Sequence, residues 1–135
     1  MSDYAATEKY TTLGPDALAA SLRAVEGVSV VATVNEDGTP NAAILVPMMP
    51  DASHVVMTLA RNRTRENLER TGHAVLVYDV ASPHAAEKAE RHCGVRMRLS
   101  LVSPDESEHA EVAALWPHMT PFTMILGVDE VEPLG

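Results

Sequence analysis

The chain has 135 residues, a length typical of one domain with room for a hydrophobic core. Its formal charge of −9 argues against nucleic acid or an anionic membrane as a partner. Aromatic residues make up only 4%, so the core must be mainly aliphatic and base-stacking platforms are not expected.

The cysteine count and the first residues indicate the compartment. Cys93 is the single cysteine, which excludes an internal disulfide and favours a reducing environment. Residues 1–10 are polar and lack the apolar centre of a signal peptide. No run approaches the about 18 apolar residues that a membrane span needs. We therefore expect a cytoplasmic protein with no membrane partner.

We predict a flexible N-terminal arm over residues 1–12 and a single domain over residues 13–135. The domain opens with a helix from Pro15 that Gly27 ends. Six segments have the β-branched or alternating pattern of strands: residues 28–34, 40–48, 54–60, 74–80, 95–102 and 122–131.

Two further helices are predicted between these strands. The first covers residues 64–70 and is closed by Gly72. The second runs to about Trp116, with Ser103 as N-cap and Glu106 completing a capping box. Residues 82–94 fit either a short helix or a long loop.

Turn residues predict how the strands pair. Asp37-Gly38 has the chemistry of a tight hairpin, and residues 50–53 form the next turn. Strands joined by such turns run antiparallel, and six of them can close into a small barrel that hides its edges. A doubly wound sheet is disfavoured because helices do not alternate regularly with the strands.

The most informative stretch is the passage from the third strand into the following helix. Arg61, Arg63 and Arg65 cluster there with Thr64 and Asn67. A helix N-terminus presents unpaired N–H groups and a positive dipole, so guanidinium groups beside it make a phosphate cradle. The alternative is that these residues cap and solvate an ordinary surface helix.

Other chemistries have less support. The six histidines follow no zinc-ligand spacing, so we expect no metal site. No serine or cysteine nucleophile has motif support either.

The order of elements, with the motif Arg63-Thr64-x-x-Asn67-Leu68 after the third strand, resembles the FMN-binding split-barrel proteins related to pyridoxamine 5′-phosphate oxidase. The resemblance implies a mainly β (α+β) fold, a six-stranded antiparallel split β-barrel with short flanking helices. It also implies a homodimer that binds FMN at its interface, as a flavoprotein acting as an oxidoreductase or electron carrier.

The resemblance also assigns residues. Arg63 and Thr64 would hold the FMN phosphate, with Asn67 one helical turn further on. The flavin ring would lie against the backbone of Leu45, Val46 and Pro47. The same pocket would be lined by three residues at the end of the third strand: Leu59, Ala60 and Arg61. The partner subunit would contribute His118 and Met119, with Leu134 as a further candidate.

Two alternatives stay open. The same barrel could bind the deazaflavin F420 or haem, or it could be a cofactor-free dimeric regulatory module. The cofactor-free module is favoured by the almost wholly apolar stretch 42–48 and by Pro47, which has no N–H to donate to a flavin. Neither the redox partner nor catalytic residues follow from the sequence.

Overall fold

A computed structural model describes Ala19, Leu22 and residues 29–79 and 94–134. These contain nine elements: β1 (Ser29–Val34), β2 (Pro40–Leu45), β3 (Met48–Asp51), β4 (His54–Thr58), α1 (Arg63–Thr71), β5 (His73–Asp79), β6 (Gly94–Leu101), α2 (Ser107–Ala113) and β7 (Thr123–Leu134). Ala19 and Leu22 lie at helical positions. The predicted arm, the rest of the predicted first helix and nearly all of the connector 82–94 lie outside the described residues.

The strands form one antiparallel sheet in the order β2-β1-β5-β6-β7-β4-β3. Its two edge strands, β2 and β3, follow each other in the chain and are joined only by Val46 and Pro47. The three residue steps from Leu45 to Met48 span at most about 11 Å. The sheet must therefore curl until its edges meet at this link, which gives the expected split barrel.

The predicted second strand, residues 40–48, is two strands, so the described sheet has seven strands instead of six. Pro47 lies at the break and cannot donate to a strand ladder. Beyond it, the chain leaves β1 and pairs with β4 on the other side of the opening.

The predicted capping box at Ser103 is wrong. The Ser103 carbonyl and hydroxyl accept hydrogen bonds from the N–H groups of Glu106 and Asp105, at 3.0 and 3.3 Å, and close a turn. The helix begins only at Ser107, with Glu106 as an N-cap whose side chain makes no capping bond. It ends at Ala113, three residues short of the predicted end.

The barrel interior is aliphatic, as the composition predicts. Fully buried side chains from β1, β5, β6 and β7 meet inside it, among them Val31, Leu76, Met97 and Leu126. Leu68 of α1 is also fully buried in this cluster. α1 is therefore fixed against the barrel by its own apolar face.

No helix among the described residues is long and apolar enough to cross a membrane.

Candidate functional site

The start of α1 is a well-formed helix N-terminus. Asn62 is the N-cap, and its side-chain oxygen accepts the Arg65 N–H at 2.9 Å. At the other end Gly72 adopts φ +74°, which suits glycine, and donates to the Leu68 carbonyl at 2.8 Å. The N–H groups of Arg63 and Thr64, in the first turn, have no acceptor within the helix. An anion placed here would meet those groups and the positive end of the helix dipole.

Four of the six arginines in the described ranges have hydrogen-bonded partners: Arg65, Arg70, Arg96 and Arg98. The other two are Arg61 and Arg63, which flank the cap residue Asn62. Both are exposed, and neither makes a hydrogen bond or ion pair with another described residue. Within the described ranges, the two arginines without a partner therefore lie together at one helix N-terminus.

Two of the cavities that border α1 are lined by Arg63 or Arg61. The first, of about 240 Å³, is lined by the β1–β2 turn and one side of the helix: Asn35, Glu36, Asp37, Arg63, Glu66, Asn67 and Arg70. The second, of about 430 Å³, is lined by the opposite side and the segment before β7: Arg61, Arg65, Glu66, Glu69, Pro121 and Phe122. Glu66 borders both cavities, so the first turn of α1 separates them. We call the first cavity, which Arg63 lines, the Arg63 side, and the second cavity, which Arg61 lines, the Arg61 side.

The Arg63 side also carries negative charge. The Thr39 hydroxyl, and then the Thr39 N–H, donate to Asp37 and hold the pKa of its carboxyl below the usual value. The nearby charge of Arg63 lowers that pKa slightly further. A phosphate that approaches Arg63 therefore also meets an ionised Asp37.

Thr64 and Asn67 point away from solvent and join a polar network with β1 and β2. Each is only 2% exposed. The Asn67 amide donates to Thr33 Oγ1 and Asn35 Oδ1, both at 3.0 Å. Asn41 on β2 donates to Thr64 Oγ1 at 3.3 Å. The network fixes the first turns of α1 against the β1–β2 hairpin.

Asn67 has no donor left for a ligand. Both amide hydrogens are used within the protein, and its oxygen accepts from Arg70 at 3.1 Å. Arg70 also donates to the Val34 carbonyl. The motif residues Thr64 and Asn67 thus have structural partners here, and their contact with a cofactor stays a prediction.

The second predicted group lies where the edges of the barrel meet. Leu45 ends β2 opposite Ser29, Val46 is 86% exposed and Pro47 is buried. Leu45 lies four residues along β2 from Asn41, the strand residue bonded to Thr64, or about 13 Å. The phosphate end and the ring end of the predicted site are thus joined by one strand.

The three residues after β4 differ from one another. Leu59 is buried, its N–H donates to the Phe122 carbonyl at 3.0 Å, and its own carbonyl accepts from Arg65 at 3.0 Å. Ala60 and Arg61 are exposed, and Arg61 borders the second cavity. The Leu59 backbone is therefore already paired within the protein.

His118 is not brought to the start of α1 within this chain. It lies in the segment between α2 and β7, exposed, with its ring edge-on to Trp116 at a centroid distance of 5.4 Å. It lines neither the cavity of Arg63 nor the cavity of Arg61. Its predicted contact is with a partner subunit's cofactor.

Sequence reasoning missed the network residues Thr33, Asn35 and Asn41. Thr33 faces the same way as the buried Val31 of β1, and Asn41 faces the same way as the half-buried Ala43 and Leu45 of β2, where apolar residues are the rule. A polar residue at an inward strand position was the signal that could have identified them.

A further feature is an apolar face on the outside of the barrel. It comprises eight side chains on three neighbouring strands: Val30, Ala32, Val34, Pro40, Ala42, Ile44, Val75 and Val77. Val30 lies between Ile44 and Val77, and Ile44 is 70% exposed. Ion pairs from Arg98 to Glu130 and Glu132, at 3.3 and 3.0 Å, lie on the adjoining strands β6 and β7. We call the eight residues the outer apolar face.

Comparison with known proteins supports the fold. No family model and no curated relative matches the chain. Among solved structures it is similar to an FMN-binding protein from Syntrophomonas wolfei, at 16% identity and a TM-score of 0.60, over 87% of this chain and 83% of that one. A candidate pyridoxamine 5′-phosphate oxidase from Lactobacillus delbrueckii is 21% identical, with a TM-score of 0.57, over 84% and 89%.

A third similar structure is a haem-binding protein from Mycobacterium smegmatis, at 15% identity and a TM-score of 0.58, over 93% of this chain and 55% of that one. At these identities the likeness shows the fold alone. The chain has the split-barrel fold that such FMN-binding and oxidase-like proteins share, as the motif order predicts.

Proposed function

We propose that this chain is an FMN-binding flavoprotein whose phosphate site is the N-terminus of α1. The observation that carries the proposal is the pair of unpartnered arginines, Arg61 and Arg63, on either side of the cap residue Asn62. A phosphate there gains charge-assisted hydrogen bonds from guanidinium as well as backbone N–H groups. The cap already fixes the helix start, so binding requires little reorganisation.

The ring end of the site fits a flavin through backbone. β2 and β3 are the sheet edges, so each presents main-chain groups with no strand partner among the described residues. These groups can bind the polar edge of a flavin even though Pro47 has no N–H. Bound FMN supplies hydride or one-electron transfer, which makes the protein an oxidoreductase or electron carrier in the cytoplasm.

We further propose a homodimer that forms through the outer apolar face. A contiguous apolar surface over three strands is typical of an interaction site. The bordering ion pairs leave its centre free of charge, as in the cores of subunit interfaces. The family resemblance would place His118 at the partner subunit's cofactor in such a dimer, and within one chain this residue lies away from α1.

The test is titration of the purified protein with FMN and, separately, with riboflavin, followed by flavin fluorescence and the visible spectrum. We expect FMN to bind at micromolar concentration or better and riboflavin to bind more weakly. Arg63→Ala should weaken FMN about tenfold or more while leaving riboflavin nearly unchanged, because the lost partner is the phosphate.

Arg98→Ala is the matched control, since it removes an arginine that is paired with Glu130 and Glu132 away from α1. Because Arg98 borders the proposed dimer face but lies away from the phosphate site, its loss should leave the ratio of the FMN and riboflavin affinities unchanged. No FMN binding at tens of micromolar would refute the proposal, and parallel titrations with F420 and haem would then show whether either alternative cofactor occupies the barrel.

A further inference from the structure

His54, the first residue of β4, is a buried titratable group held between two carboxylates. Its side chain is 9% exposed. Asp51 approaches one ring nitrogen from the β3–β4 hairpin, and Glu108 approaches the other from α2. Its strand partner on β7 is Gly127, which brings no titratable side chain. Asp51 and Glu108 are the charged groups in contact with the ring among the described residues.

The contact with Asp51 fixes one proton. The ring nitrogen Nδ1 lies 2.9 and 3.0 Å from the two Asp51 carboxylate oxygens. Asp51 also accepts the Ser53 N–H at 2.8 Å. An ionised carboxylate can only accept hydrogen bonds, so Nδ1 must carry a hydrogen.

The other ring nitrogen, Nε2, lacks a partner. Within the described residues it is the one buried side-chain nitrogen or oxygen without a hydrogen bond. Glu108 Oε2 faces it at 3.6 Å. If the ring is neutral, Nε2 is an acceptor that faces another acceptor. One added proton turns the same contact into an ion pair with a donor between the two atoms.

α2 has few other anchors. It has seven residues, its N-cap side chain makes no capping bond, and Val112 is its one buried residue. Val112 packs in a small cluster with Val56, Val102 and Ile125. A polar contact between Glu108 and His54 therefore adds a second anchor to the apolar packing of Val112 and Ala113.

We infer that a proton taken up between His54 and Glu108 locks α2 onto the β3–β4 hairpin. The ion pair between His54 and Glu108, which we call the lock, forms at low pH and is lost as the pH rises and the ring loses that proton. Residues 114–122 follow α2 and lead to Pro121 and Phe122, which line the Arg61 side of α1. The proton thus also sets how firmly the start of this segment is anchored. The inference does not depend on a cofactor.

The test combines NMR and hydrogen exchange between about pH 5 and pH 8, where histidine commonly titrates. The ring ¹⁵N signals of His54, identified by their loss in His54→Gln, should show Nδ1 protonated throughout and Nε2 gaining a proton as the pH falls. Amide protection in α2, corrected for the intrinsic exchange rate, should be roughly 1.5- to fivefold greater at the low pH, the ratio expected for one ion pair.

Two charge-neutral variants separate the lock from a general charge effect. Glu108→Gln places an amide opposite Nε2 that can donate to the neutral ring, so α2 protection should become independent of pH. Glu111→Gln removes the same charge from an exposed position on α2 and should keep the wild-type pH dependence. Unchanged pH dependence in Glu108→Gln, or an Nε2 that stays unprotonated at pH 5, would overturn the inference.

Discussion

Replacing Asn67 by alanine tests whether this motif residue serves the fold or the ligand. The substitution removes three hydrogen bonds, to Thr33, Asn35 and Arg70. At about 1 kcal/mol net for each bond, the loss is about 3 kcal/mol. Alanine is the better helix former by up to about 0.7 kcal/mol, which offsets part of it. We therefore expect Asn67→Ala to lower the free energy of unfolding by about 2 kcal/mol.

Urea denaturation followed by circular dichroism measures this loss. With a denaturant slope near 2 kcal/mol per molar, the midpoint should fall by about 1 M. Glu66→Ala is the control, since Glu66 lies one residue away on the exposed side of α1 and should change stability by less than about 0.5 kcal/mol. A variant Asn67→Ala as stable as the control would show that the network does not fix the helix.

Ligand titration then separates the two roles of the motif. Because the Asn67 amide is fully used within the protein, Asn67→Ala can affect a flavin only by moving α1. It should weaken both FMN and riboflavin, whereas Arg63→Ala acts on FMN alone. A selective loss of FMN in Asn67→Ala, with stability intact, would refute the structural role and make Asn67 a phosphate ligand.

Two further predictions concern the hairpin turn and the outer apolar face. Thr39→Val removes the hydroxyl that most lowers the pKa of Asp37, so that pKa should rise toward its ordinary value. NMR titration of the carboxyl group measures this pKa. An unchanged pKa would contradict the role given to the Thr39 hydroxyl. Since the folded-state pKa of Asp37 is lowered, its contribution to stability is present above the ordinary pKa and is lost as the pH falls through the lowered one. Ile44→Asp should convert the proposed homodimer to monomer in light scattering, while Leu115→Asp, also at an exposed apolar position but off this face, should not. A wild-type monomer, or equal effects of both substitutions, would exclude this interface.

The fold was predictable because each signal was local or periodic. Asp37-Gly38 gives the first hairpin, and alternation along residues 95–102 gives β6 with one face toward solvent. The break at Pro47 was missed because an apolar run reads as one strand unless the sheet order is known. The prediction of a capping box at Ser103 was wrong because the Ser103 side chain closes a turn that precedes the helix.

The candidate site was predictable only in part, since a motif does not show which way its side chains point. Arg63 and Thr64 are neighbours in the sequence, yet Arg63 is exposed and Thr64 is buried against Asn41. That division depends on the packing of α1 against two strands distant in the chain. Polar residues on those strands, Thr33 and Asn41, complete the network, and no local pattern links them to α1.

The curl of the sheet explains why the phosphate and ring ends of the proposed site belong together. Val46 and Pro47 bring the two edges of the sheet to one point, and β2 runs from there to Asn41, whose amide contacts α1. We therefore expect a shift in the position of α1 to move β2 and its edge backbone. The polar network and the helix cap thus set the geometry of both ends, while the exposed arginines supply the charge. Substitutions in the network should alter binding of any flavin, and substitutions of Arg61 or Arg63 should discriminate only between ligands with and without a phosphate.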